Sequence, residues 1–370
     1  MIKMKNVYRI ALVVIALIYS FNVNAQAPKY SNEFLAIGVG AQAFGMSNSW
    51  IAGVDDVTSA YWNPAGLTLV ESDMQLGLMH AEYFAGIAKY DYGALTRHID
   101  ENSSMAFSFI RFAVDDIPNT TELIDAQGNI DYDRITSFSA ADYAFLISYA
   151  RKSENIENLR YGANVKIIRR KVGDFAGAWG FGIDIGAQYD LGKWTFAAVS
   201  RDVTSTFNAW SFNLSDQMKE VFTITGNDIP ENSLEITMPR LILGVNREFV
   251  ISNSFTANAE VDFDITFDGK RNVLIKSDPI SIDPHLGMQL GYKNFAFIRV
   301  GIGNLQNETD FEKGEILSFQ PNIGIGINIK NKLTIDYALT DLGNQSIALY
   351  SNIFSLKFNI NKSTGSGSQL

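Results

Sequence analysis

Residues 256–267 read TANAEVDFDITF. Ala257, Ala259, Val261, Phe263, Ile265 and Phe267 fall on one side of an extended chain, and Thr256, Asn258, Glu260, Asp262, Asp264 and Thr266 on the other. Strict alternation marks a strand, because successive side chains point to opposite faces. A soluble sandwich also alternates, but its strands average about 5–6 residues and its inner face packs a dry core. Here the run is about ten long or more and the polar face carries carboxylates in mid-strand, as in a barrel with lipid outside and a polar lumen inside.

The pattern recurs. In WGFGIDIGAQY the outward set is Trp179, Phe181, Ile183, Ile185, Ala187 and Tyr189, opposite Gly180, Gly182, Asp184, Gly186 and Gln188, with aromatics at the ends where interfacial girdles belong. Phe319, Pro321, Ile323, Ile325, Ile327 and Ile329 repeat it against Gln320, Asn322, Gly324, Gly326 and Asn328. Phe354, Leu356, Phe358 and Ile360 close the chain the same way. Strands are predicted near 73–84, 87–99, 103–113, 141–152, 159–172, 177–190, 193–203, 239–251, 254–268, 281–292, 295–304, 316–329, 333–342 and 350–360. The fold class is therefore all-β, a 14-stranded antiparallel transmembrane β-barrel with an N-terminal lumenal plug. Connections after even-numbered strands are brief, whereas 114–140, 204–238, 269–280 and 305–315 are longer, which places both termini in the periplasm and the long loops outside.

The first residues supply a basic start (Lys3, Lys5, Arg9), an apolar stretch from Ile10 to Tyr19 and a V-N-A site ending at Ala25. That is the pattern of a secretory signal, 1–25, and its apolar core is shorter than the ~20 residues of a spanning helix. The chain has no cysteine, which excludes disulfides, thiol catalysis and a lipidated N-terminal cysteine. Its formal charge is −10, and loss of the three leader cations leaves −13, so nucleic acid is excluded as a partner. Address and patterning together give the outer membrane, with its lipid as the surrounding solvent.

Residues 26–70 do not alternate and are rich in Gly, Ala and Ser. They form the predicted plug, 71–360 the barrel, and 361–370 a flexible tail left out of the fold. The plug closes on YWNPAGL, where Pro64 pushes Asn63 out of the helical region and Gly66 can take a positive φ. A rigid turn there, made of Trp62, Asn63, Pro64, Ala65 and Gly66, sets the angle between plug and wall.

The stretch KYSNEFLAIGVGAQAFGMSNSWIAGVDDVTSAYWNPAGL, 29–67, resembles the start of the PorV/PorQ family of Bacteroidetes outer-membrane proteins, itself related in architecture to the FadL-like barrels. The matching residues are Gly38, Gly40, Ala41, Gly45, Asp55, Asp56, Trp62, Asn63, Pro64, Ala65 and Gly66; the family pattern often shows a further glycine where this chain has Ser47 and Asn48. The resemblance implies a docking and shuttle role in type IX protein secretion, with translocon or attachment subunits and the signal domains of secreted cargo as partners. The alternative it implies is FadL-like uptake of hydrophobic small molecules. On the long loop 204–238, Phe207, Trp210, Phe212 and Phe222 are candidates for docking.

Other motifs point nowhere. Gly38, Gly40 and Ala43 fit a dinucleotide fingerprint but lack a βαβ setting. His80, His98 and His285 stand in or beside different strands with no nucleophile elbow, and read as single polar residues on a lumen or rim. DAQGNIDYD at 125–133 misses the EF-hand order. The mid-strand charges Lys166, Arg170, Asp184, Glu260, Asp262, Asp264, Arg299, Asp336 and Lys357 belong in the lumen, pairing across strands and holding the plug. The expectation is a non-enzyme with no catalytic residues, metal or cofactor. N-terminal sequencing of the membrane form should begin at Gln26; a start at Met1 would overturn the signal assignment.

Overall fold

The computed structural model describes residues 31–120, 123, 129–310, 314–342 and 351–361. The predicted leader, residues 26–30 of the plug and all but the first residue of the tail lie outside them. Among the described residues no helix is long and apolar enough to cross a membrane, so crossing falls to the strands.

Fourteen strands form the wall: β1 (Met74–Tyr83), β2 (Ala88–His98), β3 (Ser103–Asn119), β4 (Thr136–Lys152), β5 (Leu159–Val172), β6 (Ala176–Leu191), β7 (Trp194–Arg201), β8 (Arg240–Val250), β9 (Phe255–Thr266), β10 (Ser281–Tyr292), β11 (Ala296–Asp310), β12 (Gly314–Ile329), β13 (Leu333–Thr340) and β14 (Ser351–Ile360). Each pairs antiparallel with its chain neighbours. β14 returns to β1 from Met74↔Ile360 to Glu82↔Asn352, which closes the barrel and leaves no free edge.

Two loops prove to be partly wall. Strands β3 and β4 run on to Asn119 and from Thr136, so the predicted loop 114–140 shrinks to 120–135. Segment 204–238 is not an open loop: Thr206–Phe212 pairs with the upper half of β6, and Ser233–Thr237 pairs with it in turn. Between them lies helix α3 (Asp216–Ile224), whose first turn is capped by the Ser215 hydroxyl accepting from Met218 N at 3.2 Å. Short strands with polar breaks carried too little periodicity to be separated from loop in the sequence.

Phase follows the predicted alternation. Trp179, Ile185, Phe263 and Ile325 are exposed on the outer face, while Glu260, Asp262, Arg299 and Asp336 are buried inside. His80 stands on the outward face of β1 with Leu76 and Leu78, three residues from the strand's loop end. Its Nδ1 lies 2.7 Å from Asp91, and Arg111 donates to the other Asp91 oxygen at 3.2 Å, so the polar atoms satisfy one another on the outside of β1–β3.

The plug fills the lumen. Helix α1 (Ala41–Gly45), helix α2 (Ser59–Trp62) and the segments beside them supply Val39, Phe44, Val54, Tyr61 and Trp62 to a buried cluster shared with Tyr90, Ile110, Leu146 and Ile168 of the wall, and the 3₁₀ turn Pro64–Leu69 follows. Lumen-facing glycines mark the contacts. A side chain at Gly77 would collide with Val57, one at Gly186 with Asn63, and one at Gly301 with Met46. At Gly162 an added Cβ would stand 2.8 Å from the Pro64 carbonyl carbon and 3.0 Å from Ala65 N. In-strand glycine is thus the signature of a second backbone pressed against the sheet.

Gly162→Val keeps a strand-forming residue in β5 but forces the NPAG turn inward, at a cost of about 1–3 kcal/mol for overpacking. We expect heat-resistant migration of the barrel to persist while proteolysis of 31–73 accelerates. Unchanged protection of that segment would refute the packing argument.

Candidate functional site

The plug presents its backbone to the lumen, and the wall answers with side chains. Trp50 N and Ile51 N donate to Asp262 Oδ2 at 2.9 and 3.2 Å, and Ala52 N and Gly53 N donate to the two Glu260 oxygens at 2.6 and 2.9 Å. Because Glu260 and Asp262 are two apart on β9, both face inward and together receive four successive N–H groups. Asn246 of β8 also donates to Glu260, at 2.9 Å. Gln188 of β6 spreads its amide over the carbonyls of Ile51, Ala52 and Val54.

The predicted turn residues act here, though not as a simple hinge. Asn63 is extended, as its position before proline requires, and its side chain accepts from Ala65 N at 3.2 Å. Its amide donates to Ile51 O within the plug at 3.0 Å and to Ala187 O on β6 at 3.1 Å. Pro64 opens the 3₁₀ turn. Gly66 is not in the left-handed region; it is required for room, since a Cβ there would meet Val54 O and Ser59. Trp62 donates to Val39 O at 2.8 Å, and Arg201 lies 4.5 Å from the Tyr61 ring centre while donating to Leu35 O and Tyr61 O. His98, at the turn end of β2, contacts Val70 O at 2.6 Å and so fixes the passage into the wall.

Apart from Glu260 and Asp262, which meet plug peptides, the lumen charges named in sequence pair, as expected of a low-dielectric interior. Lys166 meets Asp184 at 2.7 Å and also Asp202; Arg170 forks onto Asp142; Arg299 meets Asp336 at 2.7 Å; Lys357 meets Asp56 of the plug at 2.7 Å. Burial works against ionisation of Asp56, yet the Lys357 ammonium and the Thr58 hydrogen bonds hold its carboxyl below the usual range. Neighbouring Asp55 is pushed up to about 6 by its depth in the barrel and by the Asp56 carboxylate. His285 of β10 contacts Ser47 O at 2.9 Å. The three histidines therefore stand in three separate settings. Of the acidic stretch 125–133, residues 125–128 lie outside the described chain, and Asp131 is engaged by Arg134.

Two cavities flank the plug on the β9–β12 side. The one at the loop end holds about 380 Å³ and is lined by Asp264, Thr266, Asp283, His285, Asn304 and Gln320, among others. The one at the turn end holds about 420 Å³ and includes Asp55, Glu71, Asn258, Gln289, Arg299 and Asn328. Both linings are polar. Among the described residues no group of His, Asp or Glu has the geometry to hold a metal ion.

At the loop end the four aromatic candidates do not form one patch. Trp210 and Phe212 stack at 6.2 Å on one side of the hairpin, with Arg170 5.0 Å from the Trp210 ring centre; Phe207 is exposed on the other face, and Phe222 lies on α3. The hairpin is latched to the start of the plug: Asn208 donates to Asn32 Oδ1 at 3.0 Å, Asn32 to Thr237 at 2.8 Å, and Thr237 to Ser31 at 2.7 Å. These latches and the roles of Gln188 and Arg201 were not legible in sequence, because each joins residues more than a hundred positions apart.

The profile of the family described as "Type IX secretion system protein PorV" matches residues 22–260. No protein with a curated description matches in sequence. Among solved structures, the monoaromatic hydrocarbon channel CymD aligns with a TM-score of 0.56 at 13% identity, over 88% of this chain and 98% of that one. The toluene transporter TodX of Pseudomonas putida aligns with a TM-score of 0.52 at 12% identity, over 87% and 98%. At such identity these likenesses speak to the fold.

Asn63→Ala removes the amide that joins plug to wall and leaves Ile51 O with the Gln188 amide alone, costing about 1–3 kcal/mol. Residues 31–73 should become protease-sensitive at a lower denaturant concentration than that which unfolds the barrel. Simultaneous loss of both would count against a local role.

Proposed function

Because the chain belongs to the PorV family, and is thus an outer-membrane component of type IX secretion, we propose that it acts as a non-enzymatic docking and shuttle barrel. In this reading it receives exported proteins through their C-terminal signal domains and passes them between translocon and attachment subunits. The observation that carries it is the elaborated loop end. A hairpin continues the wall upward, helix α3 connects its two strands, and Ile224 and Leu234 remain 75% and 60% exposed. Apolar side chains held outside the barrel on ordered elements suit recognition of a folded partner. The latch from this hairpin to Asn32 ties such a surface to the plug.

The FadL-like alternative, uptake of a hydrophobic solute, draws on the shared architecture with CymD and TodX. It calls for an apolar passage. The polar lining of both plug-side cavities weighs towards docking.

Replacing 120–135 and 213–232 with short turns preserves the hairpin latch, and should leave an intact barrel that no longer co-purifies with secretion subunits or secreted proteins. Gene deletion should block surface delivery of cargo and leave growth on hydrophobic substrates unchanged. Normal surface delivery with lost growth on such substrates would overturn docking in favour of uptake.

A further inference from the structure

The two polar cavities are halves of one column. Strand β9 places Asn258 in the turn-end cavity and Asp264 and Thr266 in the loop-end cavity; β10 places Gln289 in the first and Asp283 and His285 in the second. Strands β11 and β12 do the same with Arg299 against Asn304 and Asn328 against Gln320. Plug residues 45–53 cross between them. That crossbar passes over Gly324 at Gly45, over Gly287 and Gly301 at Met46, and ends on Glu260 and Asp262.

The crossbar differs from the rest of the plug. Ser47 and Asn48 both have positive φ, 52° and 64°, a region in which residues with a Cβ are strained. Ser47 Oγ, Asn48 Oδ1 and Trp50 Nε1 are buried without protein partners, as are Thr266 Oγ1 and one oxygen each of Asp264 and Asp283 on the wall it faces. Unpaired polar groups weaken this contact. Its anchorage combines the carboxyl groups of Glu260 and Asp262 with Gln188 and His285, which meet its carbonyls.

We propose that a hydrophilic conduit for small cations runs along β9–β12, and that residues 45–53 are its closed gate. Cations are favoured by the charge lining the path. Glu33, Asp264 and Asp283 outnumber Arg240 and Arg271 in the outer cavity, and Asp55, Asp56 and Glu71 outnumber Arg299 and Lys357 in the inner one. Opening requires the crossbar to leave Glu260 and Asp262 of β9, Gln188 of β6 and His285 of β10. The remainder of the plug stays clamped by Asn63, Arg201 and Lys357.

The test is conductance of the purified full-length protein in planar bilayers under a potassium chloride gradient. Combined Glu260→Gln and Asp262→Asn should raise conductance about tenfold or more over wild type, with a reversal potential of cation sign. The Cβ that Gly303 would carry lies 3.3 Å from Ser47 Cβ, near disulfide range, so Ser47→Cys with Gly303→Cys can lock the crossbar once the His285 ring moves aside. Added to the carboxyl variants, the oxidised lock should abolish the current and reduction restore it. Background conductance in a heat-resistant, folded Glu260→Gln/Asp262→Asn barrel, anion selectivity, or current that ignores the lock would each overturn the proposal. Should the carboxyl variants fail to fold, Gln188→Ala, which frees the Ile51 and Ala52 carbonyls, combined with Asn258→Cys in the otherwise cysteine-free chain decides. Labelling by a cationic thiol reagent supplied only at the loop end supports the conduit, and complete protection refutes it.

Discussion

Four successive backbone N–H groups, from Trp50 to Gly53, converge on the two carboxyl groups of Glu260 and Asp262. A barrel of fourteen strands encloses more space than its own side chains fill, so the lumen must be occupied, and an irregular segment buried there exposes peptide groups that each need a partner. Wall side chains meet that need. Gln188, Asn164 and Arg201 serve plug carbonyls as Glu260 and Asp262 serve plug amides. Charges that would be costly in a dry core are retained here because each has a peptide or an opposite charge to meet.

The same constraint divides the lumenal face into two kinds of surface. At Gly162, Gly287, Gly301 and Gly324 the plug backbone touches the wall; around Asn258, Gln289, His285 and Gln320 a cavity remains. Contact and cavity therefore alternate along single strands. On β10, Gln289 lines the inner cavity, Gly287 seats Met46 and His285 lines the outer cavity. Docking at the loop end and permeation beside the plug would use different surfaces of one barrel, coupled through the hairpin that grips Asn32.

The outer face is asymmetric as well. Strands β9–β12 show lipid an unbroken series of apolar residues such as Phe263, Leu286, Ile298 and Ile325, whereas β1–β3 interpose His80, Asp91 and Arg111. Mutual hydrogen bonding lowers the cost of that row, which a lone charge in the same place would bear in full.

Alternation by itself determined the class of fold, the number of wall strands and the face on which each mid-strand charge lies, because a strand's period of two is a local property of the chain. The Asn-Pro-Ala-Gly turn was equally visible, since proline dictates the conformation of Asn63 wherever it occurs. Tertiary structure decided what these residues touch. Gly66 serves by its lack of a side chain and not by its torsion, Gly162 and Gly301 serve by admitting another backbone, and segment 204–238 becomes wall because β6 offers it hydrogen bonds. Those outcomes rest on pairings across tens to hundreds of residues. Periodicity carries no record of such partners, so they exist only once the barrel has closed around its plug.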